Sequence, residues 1–381
     1  MTTMISRDRC HEIVEANDAF FVTETSVNGY MVEMYNYRLA SLSDFVDYNA
    51  FEMRGITFVY NPDTECWERH LAMEKFFNVN QTEGWMFDDL KDKKIVRIED
   101  KADGSLIQFV RFPDGSVRAK SKMSFESEQA VMAQICYDES QSLRELISDE
   151  RYHFIFELVS PFNQIVLSYA ETELVLLKVR DRMGAYLWDL DYVCKRFPAV
   201  KRIENITVQY DLSDLLQMVA ERTHIEGWVV VFEGGQKAKL KTAWYLALHG
   251  LVSDGTRENL LIEAILDDHI DDVISQLGPG ETYDHIVKVT DSVRKYVNQA
   301  IKDVQQLFDV FDYEYEFNRR SFAIDNNQHD YFHIIMQWLK VKDNSSDDVP
   351  SVLLDLLSDH IKRKTTKLID ARQFIGDISA K

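Results

Sequence analysis

The chain has 381 residues and a formal net charge of −21, with 45% hydrophobic and 28% charged residues. This length exceeds what one hydrophobic core usually holds, so two domains are expected. The composition is that of a globular protein rather than a disordered or fibrous one. The charge argues against a generally basic nucleic-acid coat protein, but it is compatible with a nucleic-acid enzyme that has a local basic groove.

Neither a membrane protein nor a secreted disulfide scaffold is indicated. No apolar run approaches the ~18–20 residues that span a bilayer, and the first residues lack the apolar stretch of a signal peptide. The four cysteines lie far apart, without a Cys-x-x-Cys pair, which favours a reducing compartment. We therefore expect a cytoplasmic protein.

Up to about residue 245 the pattern is that of strands with a few helices. Turns at Asp114-Gly115 and Gly234-Gly235 are typical of hairpins. Strands are predicted at Lys94–Glu99, Ser105–Phe112, Ser116–Lys122, His153–Val159, Leu174–Arg180, Gly227–Phe232 and Gln236–Lys241, and helices at Ser127–Cys136 and Leu212–Arg222.

After about residue 250 apolar residues recur at helical spacing with few strand signals. Helices are predicted at Glu258–Leu277, His285–Phe311, Asp330–Val341 and Ser351–Lys364. The sequence thus predicts an α+β protein. Residues 1–250 would form antiparallel sheets with flanking helices, and residues 251–381 an all-helical domain.

The sharpest chemical signal is Lys101-Ala-Asp103-Gly104-Ser105, between two predicted strands. A lysine amine is a nucleophile once its proton is removed, which neighbouring cations and partial desolvation favour. Gly104 would allow a phosphate or ribose to approach the backbone closely. An ordinary exposed Asp-Gly turn with a solvated lysine explains this motif alone equally well.

Lysines alternate with apolar residues in Lys237-Ala-Lys239-Leu-Lys241. Strand geometry places the three lysines on one face, where they would form a platform for an anion. The alternative is a solvated edge strand guarded by lysines, which is common. Lys120-Ser-Lys122 shows the same pattern and leaves the same alternative open.

Two carboxylates, Glu157 and Glu226, lie within strongly apolar strand segments. Charged residues in such surroundings are seldom buried without a partner. A divalent metal or a ribose hydroxyl would supply one. Taken alone, structural salt bridges are the simpler interpretation.

Two segments before Lys101 add cations and aromatic rings. Glu52-Met-Arg54-Gly55 and Met73-Glu-Lys75-Phe-Phe77 would contribute positive charge and a ring that stacks on a purine. Each is weak alone. The sequence contains no Gly-x-x-x-x-Gly-Lys-Ser/Thr, so a P-loop is excluded as the nucleotide site.

In their order and spacing, Lys-x-Asp-Gly, Phe-Glu, Glu-Gly and Lys-x-Lys resemble the motif series of the covalent nucleotidyltransferase superfamily of ligases and capping enzymes. Longer strings over about residues 15–250 resemble the RNA ligase 1 family of the T-even bacteriophages. These strings are Glu52-Met-Arg-Gly-Ile, Met73-Glu-Lys-Phe-Phe-Asn, Lys120-Ser-Lys, Ser127-Glu-Gln-Ala-Val-Met-Ala, Asn163-Gln-Ile-Val-Leu-Ser-Tyr and Trp244-Tyr-Leu-Ala-Leu-His.

The resemblance implies that Lys101 is the adenylated lysine and that Phe77 stacks on the adenine. Tyr245 would be a further essential residue, and Tyr35 lies in a string similar to that of Tyr37. The implied ATP-site residues are Tyr37, Arg54, Lys75, Phe77, Gly104, Lys122, Glu157, Glu226, Lys239 and Lys241. The implied magnesium ligands are Asp271 and Asp272, with Asp267 and Asp268 as close alternatives.

The resemblance further implies an ATP-dependent RNA ligase that joins 5′-phosphate and 3′-hydroxyl ends through lysyl-AMP and RNA-adenylate intermediates. Its cofactors would be ATP and Mg²⁺, with Mn²⁺ as a substitute. It would act as a monomer on RNA, specifically tRNA with a broken anticodon loop during phage infection, and the helical domain would select the RNA. The alternatives are a DNA ligase, a capping guanylyltransferase and a non-catalytic RNA-binding protein.

Overall fold

The computed structural model describes residues 5–162, 167, 169–206, 208–248, 258–271, 274, 281–315, 318–342 and 349–379. The chain divides into two compact units. The first comprises Met1–Arg38, Leu42–Ser253 and Asp271–Gly278, and the second comprises Leu39–Ser41, Asp254–Ile270 and Pro279–Lys381. The described part of the first unit mixes sheets and helices and that of the second is helical, which confirms the predicted α+β class.

The strands all belong to the first unit. They are β1 (Phe20–Val27), β2 (Tyr30–Tyr37), β3 (Ile56–Asn61), β4 (Cys66–His70), β5 (Phe77–Asn78), β6 (Ile95–Asp100), β7 (Ser105–Arg111), β8 (Val117–Lys120), β9 (Tyr152–Val159), β10 (Glu173–Asp181), β11 (Lys201–Arg202), β12 (Asn205–Ile206), β13 (Gly227–Phe232) and β14 (Lys237–Lys241).

Within the described residues these strands form three sheets, with the orders β1-β2-β3-β4, β11-β10-β9-β7-β8 and β12-β6-β13-β14-β5. Neighbouring strands run antiparallel except in the pairs β10–β11 and β14–β5. The prediction of antiparallel sheets is therefore confirmed. The hairpins at Gly115 and Gly234-Gly235 are confirmed as well, since all three glycines have positive φ, which suits a residue without a Cβ.

The helices of the first unit are α1 (Arg7–Ala16), α2 (Leu42–Tyr48), α3 (Phe87–Leu90), α4 (Glu128–Glu139), α5 (Gln141–Ile147), α6 (Asp191–Arg196), α7 (Leu212–Glu221) and α8 (Ala243–Leu248). Helix α7 begins where Asp211 caps it, because the Asp211 carboxylate accepts a hydrogen bond from the amide of Asp214 at 2.9 Å. Its buried face, including Leu212 and Leu215, packs in one cluster with Val230 and Phe232 of β13.

The first sheet was not placed by the sequence patterns. Its strands carry charged and polar residues among the apolar ones, and Glu33 of β2 is buried. Arg7 of α1 donates to both carboxylate oxygens of Glu33, which supplies the partner that a buried carboxylate needs. The alternation of polar and apolar residues is blurred wherever such a pair lies inside.

The helices of the second unit are α9 (Glu258–Leu266), α10 (Glu281–Tyr313), α11 (Arg319–Asn326), α12 (Phe332–Lys342), α13 (Val349–Lys364) and α14 (Leu368–Ser379). The prediction of one helix over Glu258–Leu277 is wrong. Helix α9 ends at Leu266, and Asp268 then adopts φ 58°, which a continuing helix does not allow. No helix among the described residues has the length and hydropathy to cross a bilayer.

Candidate active site

A cavity of about 220 Å³ lies in the first unit, at the junction of β6 and β7. Both charged and apolar residues line it. The charged and turn residues lining it are Arg54, Glu99, Asp100, Lys101, Ala102, Gly104, Glu157, Lys178, Lys239 and Lys241. The apolar residues lining it are Met73, Phe76, Leu106, Leu177, Ile203 and Val229.

Lys101 follows β6, and its amide donates to the carbonyl of Gly227 on β13 at 3.0 Å. Its side chain is 22% exposed, and its Nζ lies 2.7 Å from Oε1 of the buried Glu226. Nζ of Lys241 lies 3.1 Å from the same oxygen. The interpretation of Lys101 as a solvated turn lysine is therefore wrong. The structure holds its amine at the cavity, beside a carboxylate and a second ammonium.

Two glycines of the motifs are required by backbone packing. A Cβ on Gly104 would lie 2.2 Å from the carbonyl oxygen of Leu158 on β9. A Cβ on Gly227, which has φ 153°, would lie 1.8 Å from the carbonyl oxygen of Leu240 on β14. From the motif alone, a glycine at position 104 was expected because it lets a ligand approach the backbone closely. In the structure, close approach of a neighbouring strand already demands it.

Asp103 holds the turn that carries Lys101. Its side chain is buried and accepts a hydrogen bond from the hydroxyl of Tyr245 at 2.8 Å and another from the amide of Leu167 at 2.6 Å. The amide of Asp103 donates to the hydroxyl of Tyr169 at 3.0 Å. Tyr245 does not line the cavity, so its contact supports a role in orienting the turn. The motif predicted a turn at Asp103-Gly104, but it indicated no partner for the Asp103 side chain and no role for Tyr169.

Glu157 is buried on β9 and faces the cavity. Burial raises the pKa of Glu157 to about 7, the positive charges of Lys101 and Arg54 oppose the rise, and the negative charge of Glu226 adds to it. No salt bridge to Glu157 occurs among the described residues. Oε2 of Glu226 is likewise buried without a hydrogen-bond partner in the described part of the chain. The simple salt-bridge interpretation thus accounts for only one oxygen of Glu226.

The three lysines of β14 have different surroundings. Lys239 and Lys241 line the cavity, whereas Lys237 forms an ion pair with Glu74 and lies 3.9 Å from the centre of the Tyr186 ring. Burial, followed by the charges of Lys75, Arg54 and Lys241, holds the pKa of Lys239 well below its usual value. The edge-strand alternative is wrong, because β14 lies between β13 and β5.

The aromatic ring that lines the cavity is Phe76, not Phe77. The Phe76 ring centre is 5.2 Å from Nζ of Lys239. Phe77, the predicted stacking residue, is 2% exposed and packs on Trp85 and Phe45 with ring centres 4.9 and 6.0 Å apart. Adjacent residues of an extended chain point in opposite directions, which explains why Phe76 rather than Phe77 faces this cavity. The predicted stacking role of Phe77 stays a prediction.

Three further predicted residues meet at the ring of Tyr37 rather than at the cavity wall. Nζ of Lys122 lies 4.3 Å from the ring centre and Nζ of Lys75 lies 5.1 Å from it. Tyr35 is fully buried and donates to Glu33 at 2.6 Å. Of the two tyrosines, Tyr37 is therefore the one placed beside the predicted cations.

Asp271 contacts this second group. Its Oδ2 lies 3.0 Å from Nζ of Lys75. It does not line the cavity, and the predicted role of Asp271 as a magnesium ligand stays a prediction. Asp272 lies outside the described residues. Among the described residues, no three or more His, Cys, Asp or Glu side chains are grouped so that they could hold a metal ion.

The RNA ligase family model matches residues 52–245, which include the whole strand framework of the cavity. A curated protein of Thermovibrio ammonificans named "Putative RNA ligase" is 27% identical over 213 residues, covering 52% of this chain and 53% of that protein. The alignment therefore spans about half the length of this relative.

Two solved structures show a distant likeness. An archaeal ATP-dependent RNA ligase (form 2) superposes with a TM-score of 0.47 at 10% identity, covering 80% of each chain. The Naegleria gruberi RNA ligase with PPi superposes with a TM-score of 0.35 at 13% identity, covering 65% of this chain and 84% of that one.

Proposed function

This chain belongs to the RNA ligase family, and from that premise we propose that it is an ATP-dependent RNA ligase that forms a covalent adenylate on Lys101. The observation that carries the proposal is the position of the Lys101 amine, 2.7 Å from Glu226 in a cavity lined by both cations and apolar side chains. A nucleotide needs both kinds of group, since its base stacks on apolar and aromatic groups and its phosphates are anionic.

In the first step Lys101 loses a proton, its nitrogen bonds to the α-phosphorus of ATP, and the bond to pyrophosphate breaks. Oε1 of Glu226 already accepts from the ammonium, so it is the group placed to take that proton. Lys239 and Lys241, with Arg54, line the cavity and would offset the charge that builds up on the phosphates.

In the next steps AMP passes to the 5′-phosphate of an RNA end, and a 3′-hydroxyl then attacks that phosphate and releases AMP. Both are phosphoryl transfers, which depend on alignment and charge stabilisation rather than on further covalent chemistry by the protein. Phe76 replaces Phe77 in this proposal as the ring beside the adenine, because Phe76 is the one that lines the cavity.

A magnesium ion fits the carboxylates of this site. Mg²⁺ is usually held by one or two carboxylates together with substrate phosphates and waters. Glu157 and the unpartnered Oε2 of Glu226 are oxygen donors of that kind. When bound, the ion would neutralise phosphate charge, and Mn²⁺ has the same preference for oxygen.

We propose further that the RNA is a tRNA with a broken anticodon loop, that the repair takes place during phage infection, that the protein acts as a monomer and that the second unit selects the RNA. These finer points are supported by the sequence strings shared with the phage family. Sealing of a nicked anticodon stem-loop, compared with a nicked DNA duplex of the same length, tests the choice of substrate. Preference for the DNA would favour the DNA ligase alternative.

The central test is incubation with α-³²P-labelled ATP, followed by a denaturing gel. The wild-type protein should retain label, and Lys101→Ala should retain none, because the substitution removes the nitrogen that bonds to phosphorus. Lys94→Ala is the matched control, since Lys94 precedes the same strand, is 71% exposed and pairs with an exposed Glu233. It should label like the wild type.

Label on Lys101→Ala at the wild-type level would overturn the assignment of the nucleophile. Label from α-³²P-labelled GTP at a rate comparable to that from ATP would move the protein to the capping class. A wild-type protein that takes no label from either nucleotide would favour the non-catalytic RNA-binding alternative.

A further inference from the structure

Lys120, the last residue of β8, is a buried lysine that the proposed chemistry does not use. Its side chain is fully buried, and no carboxylate pairs with it among the described residues. Lysines are almost never fully buried without a charged partner, since transfer of an ammonium out of water is costly. A lysine in this setting calls for a specific reason.

The reason lies in the three oxygens around its nitrogen. Nζ of Lys120 donates to the carbonyls of Gly55 and Lys122, each at 3.2 Å, and to Oε1 of Gln108 at 3.4 Å. An ammonium has three hydrogens, which matches three acceptors, whereas a neutral amine has only two. The side chain therefore ties the distant Gly55 segment to the two neighbouring strands β7 and β8 and the residues that follow β8.

Two of these segments carry residues of the proposed site. Gly55 follows Arg54, which lines the cavity, and Lys122 lies over the ring of Tyr37. The packing is close. A Cβ on Gly55 would lie 2.9 Å from the carbonyl oxygen of Lys122 and 3.4 Å from Nζ of Lys120, and Gly55 has φ 89°. Lys120 thus fixes the backbone from which two site cations extend.

We propose that Lys120 is a positioning residue for nucleotide transfer, whose buried ammonium holds the Arg54-Gly55 turn against the Ser121-Lys122 segment. The inference rests on the proposed function of the same site. Without this tie the backbone beneath Arg54 and Lys122 would shift. Small displacements of aligned groups cost up to ~100-fold in rate.

The protonation state of Lys120 distinguishes a positioning role from a merely structural one, because only the former predicts that the effect of the substitution on the rate depends on pH. Burial lowers the pKa of Lys120 to about 7. The buried His70 of β4 interacts electrostatically with Lys120, and its pKa is held well below its usual value by burial and by the charges of neighbouring groups, so that it adds no charge near neutrality. The tie should therefore be complete at pH 6 and incomplete at pH 8.5.

The test measures single-turnover adenylation with saturating α-³²P-labelled ATP for the wild type and Lys120→Met, at temperatures well below both melting points. Lys120→Met should be ~10–100-fold slower at pH 6, and the ratio of the two rates should shrink as the pH rises through about 7. Taking the ratio cancels the ionisation of Lys101, because both proteins share it. Thr57→Val is the matched control, since Thr57 donates to the same Gly55 carbonyl at 3.1 Å without reaching Lys122.

Equal rates for the wild type and Lys120→Met, or a ratio that does not change with pH, would overturn the inference. If methionine prevents folding, Lys120→Gln replaces it, because its amide keeps a neutral donor and the same pH test applies. Absence of label on the wild-type protein would overturn the proposed function and this inference with it. Label on the wild type with an unaffected Lys120 variant would overturn the inference alone.

Discussion

Strand β14 passes through two regions that differ in how their buried charges are paired. At its start, Lys237 belongs to a paired network in which it bonds to Glu74, while Arg180 donates to Glu52 and to the carbonyl of Ala72. Two residues further on, Lys239 faces the cavity with no salt bridge among the described residues. Both side chains are lysines on the same strand and differ in what surrounds them.

Paired charges such as Lys237 and Glu74 stabilise the fold. Lys239 has no salt bridge in the described part of the chain and would contact a bound anion. Removing one partner of a buried pair leaves an uncompensated charge, which is strongly destabilising. A cation that is buried without a carboxylate lowers stability in the free protein, and such perturbed groups are concentrated at functional sites. The paired network therefore supports the cavity, and under the proposed function Lys239, which has no salt bridge among the described residues, would contribute to the affinity for an anion.

The largest expected effects come from replacing each of these two lysines in turn. Lys239→Met should lower the rate of adenylation by ~100-fold or more, because it removes a cation aimed at the phosphates, while the free energy of unfolding stays equal or rises. Lys237→Met should instead lower the free energy of unfolding by roughly 3 kcal/mol, since Glu74 loses a bonded cation. Gel labelling and urea denaturation measure the two quantities. Equal loss of stability in both variants would break the distinction.

A smaller effect is expected from Glu157. Its pKa is raised from 4.5 to about 7 by burial, so the unfolded chain ionises first as the pH rises. The ligand-free protein should therefore lose stability between about pH 4.5 and 7, by on the order of 1–3 kcal/mol from this residue. Glu157→Gln should abolish this part of the pH dependence. Urea denaturation at pH 5 and pH 7.5 compares the two proteins, and identical pH dependence would contradict the assignment.

The smallest expected effect is a fractional proton uptake. The pKa of Lys239 is held well below its usual value in the free site, mainly by burial, and the phosphates of ATP would raise that pKa again. Over the pH range in which the free amine titrates, ATP binding should therefore draw up to about one proton per site. Calorimetry in two buffers of different ionisation enthalpy measures the uptake in the Lys101→Ala background, where no covalent step follows. The same uptake in a Lys239→Met background would assign it to another group.

Sequence patterns predicted some elements well. Strands β7, β9 and β13 were placed to within a residue or two, because apolar and β-branched runs with glycine turns on either side are strong signals. The lysine motif, both glutamates and the Lys-x-Lys pair were located for the same reason, since each lies within or next to such a strand. The order and spacing of these motifs, through their resemblance to a known superfamily, also indicated that the strands meet at one site.

Other features depend on contacts that no local pattern encodes. Sequence patterns could not predict the hydrogen bond between Tyr245 and Asp103, because 142 positions separate the two residues. The choice between Phe76 and Phe77 depends on the orientation of a strand of two residues, too short to show alternation. Lys120 and Lys122 shared one pattern, yet one nitrogen is buried among carbonyls and the other lies over an aromatic ring.

The ion pair between Lys75 and Asp271 limits how the chain can be shortened by recombinant truncation. A fragment that ends at residue 250, the boundary predicted from the change from strand to helix patterns, would contain every strand of the cavity but would lack the carboxylate 3.0 Å from the Lys75 ammonium. That ammonium lies beside the rings of Tyr37 and Phe77. The shortest fragment that keeps this contact extends at least to Asp271, so the first compact unit is not complete at residue 250.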